Sequence, residues 1–230
     1  MKRVFFLSCE HGGNEVPDLF KPWFKGASKV LASHRGWDIG ALDLFAHLKP
    51  LADASYSNKL SRLCIEFNRS EEHPQLFSEY TRELPSHLRS LLMDIYLYYR
   101  AAMRLEMDDV IARKSKVLHI SVHSFTPELD GKVRTADVGL LFDPARKHEK
   151  ELCERWRVEI LRRAPGLRVR MNYPYKGSSD GLPTALRKRY GKGDYSGIEL
   201  EVNQKFAPKG VMSADIRNVL HASLGALLRA

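Results

Sequence analysis

Apolar positions fall into two rhythms along this chain. Short continuous runs, such as Val4-Phe5-Phe6-Leu7 and Val117-Leu118-His119-Ile120-Ser121-Val122, read as buried strands. They predict strands over residues 4–9, 63–67, 117–123, 138–142, 167–171 and 197–202. Between them the spacing becomes helical. Residues 87–113 carry Leu88, Leu91, Leu92, Ile95, Tyr99, Ala102 and Met103 on one side, and 39–51, 145–163 and 213–229 repeat the pattern. Ser213 stands where an N-cap belongs. Strands alternating with helices predict a three-layer α/β/α domain, one unit over 1–230, on a mostly parallel or mixed sheet. The stretch 172–193, rich in Gly, Pro, Tyr and Ser, is too polar for a core and reads as a loop over a crevice.

Two of the predicted strands run out at a histidine. The first meets Glu10-His11-Gly12-Gly13, and the third ends at His123-Ser124. Ligands of open α/β sheets lie beyond the carboxyl ends of the strands, so both imidazoles are expected in one crevice. Either histidine alone is most simply a turn residue bonded to backbone; the pair suits a zinc ion held by side chains from separate strands. A third ligand would come from Glu10, Glu15 or Asp38. Strand alternation turns Glu10 to the face opposite His11, while Asp38 has an alternative role as cap of the helix after it. Near the end, Glu199 and Glu201 share one face of a strand, and either one could serve as general base or simply face solvent from an edge. Arg69, beside Asn68, offers a two-pronged clamp for a carboxylate. His119 shares the face of His123 but lies two residues deeper, a weaker candidate.

Composition narrows the classes. At 43% hydrophobic and 28% charged, the 230 residues are those of a soluble globular protein. No apolar stretch reaches the roughly 20 residues needed to cross a bilayer. Met1-Lys2-Arg3 followed by Val4 to Leu7 imitates a secretory signal but lacks its length and cleavage pattern, so it reads as the first strand. Cys9, Cys64 and Cys153 are odd in number and scattered, which points to free thiols and a cytoplasmic location. The net charge of +9 accompanies no nucleic-acid motif, so neither nucleic acid nor membrane is expected as a partner.

Six segments in order resemble the N-formylglutamate amidohydrolase family: Cys9-Glu10-His11-Gly12-Gly13-Asn14-Glu15-Val16-Pro17, Trp37-Asp38-Ile39-Gly40-Ala41, Phe67-Asn68-Arg69, His123-Ser124-Phe125, Asn172-Tyr173-Pro174-Tyr175-Lys176-Gly177 and Leu200-Glu201-Val202-Asn203. The resemblance implies a fold like that of the zinc carboxypeptidases and one Zn2+ per chain. The order of ligands in cell-wall amidases of related architecture then implies His11, Asp38 and His123 as metal ligands and Glu201 as the catalytic base. The carboxypeptidase spacing keeps Glu15 as the alternative third ligand. Asn68, Arg69, Asn172 and Tyr173 are the implied substrate contacts. Ser121 stands where many members carry an acidic residue, and Glu66 where an aspartate is usual. The implied activity is metal-dependent hydrolysis of the amide bond of an N-acyl amino acid, a small-molecule substrate. The alternative is a non-catalytic carboxylate-binding protein on the same fold.

Overall fold

The computed structural model describes residues 3–229. The strands are β1 (Arg3–Cys9), β2 (Ala54–Ser57), β3 (Lys116–Phe125), β4 (Glu128–Leu129), β5 (Lys132–Val133), β6 (Val138–Leu141), β7 (Val169–Met171) and β8 (Tyr195–Asn203). The helices are α1 (Ser28–Leu31), α2 (Ala41–Leu48), α3 (Ser86–Ala112), α4 (Lys147–Arg163), α5 (Leu182–Arg189) and α6 (Ala214–Arg229). Six strands form one sheet in the order β2-β1-β3-β8-β6-β7, and β4-β5 is a small separate hairpin. β2, β1, β3 and β8 are mutually parallel; β6 runs antiparallel to β8, and β7 parallel to β6. The sheet is therefore mixed, with its central strands β1, β3 and β8 ending on one side.

Alternation along those strands sorts residues to two faces. Leu7, Cys9, Leu118, Ile120, Val122, Ile198, Leu200 and Val202 face α2, α4 and α6, with Trp156 of α4 fully buried and its indole N–H donating to Ser223 Oγ at 3.1 Å. On the other face Phe6, Val117 and Tyr195 pack against Met103 and Met107 of α3 and Leu182 and Leu186 of α5. Helices thus cover both faces, and the apolar layers leave a set of polar residues near the strand ends of the second face: Ser8, Glu10, His119, Ser121, His123, Glu199 and Glu201. Cys9, Cys64 and Cys153 are free thiols, all buried. No helix among the described residues is long and apolar enough to cross a membrane.

Two elements differ from the expectation. Residues 63–67 form turns, not a strand: Leu63, Cys64, Ile65 and Phe67 are buried in a separate cluster with Phe20, Phe24, Leu88, Leu92 and Tyr96. Their backbone groups bond to turns and side chains in place of a ladder, Cys64 N–H to Ser61 O at 2.8 Å and Thr81 Oγ1 to Cys64 O at 2.8 Å. The strand beside β1 is the short, polar β2. The stretch 172–193 is not all loop either; α5 lies within it, held to β8 by the buried Leu182 and Leu186.

Candidate active site

His11 leaves β1 into Gly12-Gly13, where backbone lies against backbone. A Cβ on Gly12 would come within 2.8 Å of Asn58 O, and one on Gly13 within 2.5 Å of Lys59 O. The loop carrying Asp38 is tied to the same turn, since Asp38 N–H donates to His11 O at 2.9 Å. Gly40, at φ 82°, occupies the cap position of α2, so the Asp38 carboxylate is not spent on that helix. It reaches instead between the two histidines: Asp38 Oδ2 lies 2.8 Å from His123 Nδ1 and 3.3 Å from His11 Nδ1. The imidazole centroids are 5.0 Å apart.

Each imidazole is held from its other side by a further carboxylate. Glu66 Oε1 contacts His11 Nε2, and Glu10 Oε2 lies 3.2 Å from His123 Nε2. Ser121 Oγ is bonded to Glu10 and stands 2.8 Å from the same nitrogen of His123. Arg62 joins the outer ring to the centre, donating to Glu66 Oε2 at 2.8 Å and to Asp38 Oδ1 at 3.2 Å. All of these groups except Arg62 are buried. Burial and Arg62 push His11 down, but Glu66 and Asp38 outweigh them and hold it above its ordinary value. For His123 burial is outweighed by Asp38 and Glu10, which raise it far more. Burial pushes each carboxylate up and is overcome in turn. Asp38 is held well below the usual range by the two histidines, Glu66 by Arg62 and His11, and Glu10 is brought down to about 2, chiefly by His123.

Glu201 lies opposite His123 in the β3–β8 register, and Glu199 opposite Ser121. Both line a cavity of about 290 Å³ over the histidines, with Arg62, Asn68, Arg69 and Tyr175. Glu201 Oε2 is buried with no hydrogen-bond partner. Burial, opposed by His123 but reinforced by Asp38 and Glu199, pushes Glu201 up to about 8. Burial also raises Glu199, which accepts from Asn68 Nδ2 at 3.2 Å. Asn68 Oδ1 accepts the Leu182 N–H at 2.6 Å, while Arg69 Nη1 donates to Asp180 O at 2.9 Å.

The sequence profile of the N-formylglutamate amidohydrolase family matches residues 4–207 of this chain. The chain belongs to that family. Among solved structures it is similar to a gene product of Agrobacterium tumefaciens, 25% identical with a TM-score of 0.78, over 98% of this chain and 90% of that one. It is also similar in fold to the N-formylglutamate amidohydrolase of Ralstonia eutropha, 16% identical with a TM-score of 0.64, over 99% of this chain and 92% of that one. No curated protein matches the chain.

For a member of an amidohydrolase family, the donor set fits a divalent cation. His11, Asp38 and His123 each present a ligand atom, and these atoms lie within 4.8 Å of one another. Four buried carboxylates (Glu10, Asp38, Glu66 and Glu201) and the half-buried Glu199 surround two imidazoles and Arg62, an excess of negative charge that suits a bound cation. The outer carboxylates match the arrangement by which metal-ligating histidines are oriented through their second nitrogen.

Glu15 is exposed, its backbone bridged to Leu60, and it does not line the cavity. Glu10 does not face away from the site as strand alternation about His11 implied. It shares the face of His123, because His11 already lies beyond the end of β1. His119 is buried deeper, between Ser8 Oγ at 2.7 Å and Tyr195 OH at 2.8 Å. Asn172 and Tyr173 stand off the cavity. Asn172 Oδ1 accepts the N–H groups of Phe142 and Gly177, and the Tyr173 ring lies under Arg170 at 4.4 Å. From that loop Tyr175 and Lys176 line the cavity instead. Arg62 and Glu66 have no role in the sequence-based expectation, although the charged pair bracketing Leu63-Cys64-Ile65 is a visible signal for them, and Glu10 enters it only as a candidate third ligand.

Proposed function

We propose that the chain is a zinc-dependent amidohydrolase cleaving the amide bond of N-acyl amino acids, N-formylglutamate-like substrates among them. The observation that carries this reading is the convergence of His11, Asp38 and His123 beneath a cavity where Glu201 keeps an unpartnered carboxylate oxygen. His11, Asp38 and His123 would hold the ion. Once bound, zinc supplies Lewis acidity, polarising the amide carbonyl and making water more acidic.

The chain's own residues do the rest. Glu201 accepts a proton from the attacking water as its oxygen bonds to the acyl carbon, and delivers that proton to the amine nitrogen as the C–N bond breaks. Arg69 and Asn68 bind the substrate carboxylate, with the Arg69 guanidinium held by Asp180 O on one side. Tyr175 is pinned by Arg134, whose Nη1 donates to its hydroxyl at 3.0 Å, and closes the cavity from the loop side. Glu10 and Glu66 fix the tilt of the two imidazoles.

Elemental analysis of metal-replete protein, paired with a screen of N-acyl amino acids and a chelated control, tests the proposal. About one zinc per chain and chelator-sensitive release of free amino acid are expected. A metal-free protein that binds carboxylates without cleaving any amide would replace the enzyme with a binding protein.

A further inference from the structure

Away from the candidate active site, a cavity of about 440 Å³ opens between α3 and α5. Arg100 and Arg104 line it from α3, and Leu186, Lys188 and Arg189 from α5; no carboxylate among the described residues does so. Arg189 is committed, its guanidinium donating to Asp108 at 2.7 and 3.2 Å. Arg104 and Lys188 form no ion pair among the described residues. Arg100 is the unusual group. It is only 7% exposed, yet its side chain has no acidic partner there, its Nε has no hydrogen-bond partner, and its Nη2 makes one long contact of 3.5 Å with Phe67 O. Its guanidinium carbon rests 4.8 Å from the centre of the Tyr96 ring.

A buried charge without a counter-charge is costly, and proteins normally supply one. This protein does so elsewhere: Arg187, equally buried, is bonded to Glu149 at 3.1 Å and to the carbonyls of Gly177 and Gly197. We propose that the cavity between α3 and α5 is an anion-binding site taking a phosphate group, with Arg100 as its buried anchor and Arg104 and Lys188 at its rim. Three uncommitted cations converging from two helices suit a dianion better than a single carboxylate, and the guanidinium fork matches phosphate oxygens.

The site borders the segment that enters the active-site cavity. Arg100 contacts Phe67 O, Tyr96 OH donates to Arg69 O at 2.7 Å, and the first residue of α5 donates to Asn68. Asn68 and Arg69 are thus suspended between the two helices that a phosphate would draw together.

Calorimetric titration of the metal-loaded protein with inorganic phosphate, ionic strength being held constant with chloride, should reveal one saturable site per chain. Replacing the rim cations together (Arg104→Gln with Lys188→Gln) should weaken that binding by roughly tenfold or more, with zinc content and circular dichroism unchanged. In Arg100→Met the rise in Tm on adding phosphate should vanish; if that variant does not fold, the rim variant decides. No saturable binding to the wild type overturns the proposal. So does wild-type affinity in the rim variant, which would put the phosphate in the catalytic cavity.

Discussion

The protonation of Glu201 sets what this residue can do. A carboxyl pushed up to about 8 by burial beside Asp38 and Glu199 is a stronger base once ionised than an exposed one, and a divalent cation placed between the histidines would draw it back toward the charged form. Its Oε2 is free of protein partners, whereas Glu199, on the same face, is bonded to Asn68. Replacing Glu201 by Gln keeps the shape and removes the base. Zinc content should be retained while kcat falls by about 10²–10⁴-fold on the best amide substrate, and wild-type turnover in Glu201→Gln would move the base to another group. At this scale the sequence was legible where chemistry and strand ends coincided. His11, His123 and Glu201 all stand at the carboxyl ends of parallel strands, and Asp38 at a helix entry. Asn172 stands off the cavity, its carboxamide oxygen used up on the N–H groups of Phe142 and Gly177, because a loop residue's neighbours depend on backbone turns that no periodicity encodes. Glu10 reaches the site because β1 ends one residue before it, which frees His11 from strand alternation.

Elements long enough to show several turns of a rhythm are legible in the sequence. The helix expected over 87–113 is α3, Ser86–Ala112, and that expected over 145–163 is α4, Lys147–Arg163. Short elements are not. β2 has four residues, lies at the sheet edge and carries no apolar run, and α5 has eight residues in a stretch dense in Gly, Pro and charge. The apolar run at 63–67 is buried as a strand would be, but its rhythm alone does not separate a ladder from packed turns. The loop that carries Tyr175 depends on one small residue of β6. A Cβ on Gly139 would lie 2.0 Å from Tyr173 O and 3.2 Å from Glu201 Cβ, a clash with backbone that a rotamer change does not relieve. Gly139→Ala should therefore destabilise the protein by about 1–3 kcal/mol in urea unfolding and raise KM as Tyr175 shifts. Unchanged stability and KM together would mean that the loop does not rest on β6 as described.

Across the whole molecule, the site ties together parts of the chain that share no single element: the end of β1, the 38 loop, the turn at 66, β3 and β8. Without metal those ties are ionic, and their pH dependence follows from the shifts. Glu10, brought down to about 2 from an ordinary 4.5, contributes stability that is present above pH 4.5 and is lost as pH falls through its folded value; Asp38 and Glu66 act in the same direction. His123 and His11 are raised above 6.5, so their contribution is complete below 6.5 and is lost as pH rises through their folded values. Metal-free protein should accordingly be most stable between about pH 4.5 and 6.5 and weaken on both sides. Zinc competes with protons for the same nitrogens, so its affinity should increase with pH and the metal-loaded protein should keep its stability on the alkaline side. Urea unfolding of chelated and zinc-loaded protein across pH 3.5 to 9 measures both curves, and the difference between them should widen steadily above about pH 6.5. Two parallel curves would mean that the ion binds away from His11 and His123, and a chelated protein gaining stability from pH 6.5 to 9 would remove the buried imidazolium pair from the account.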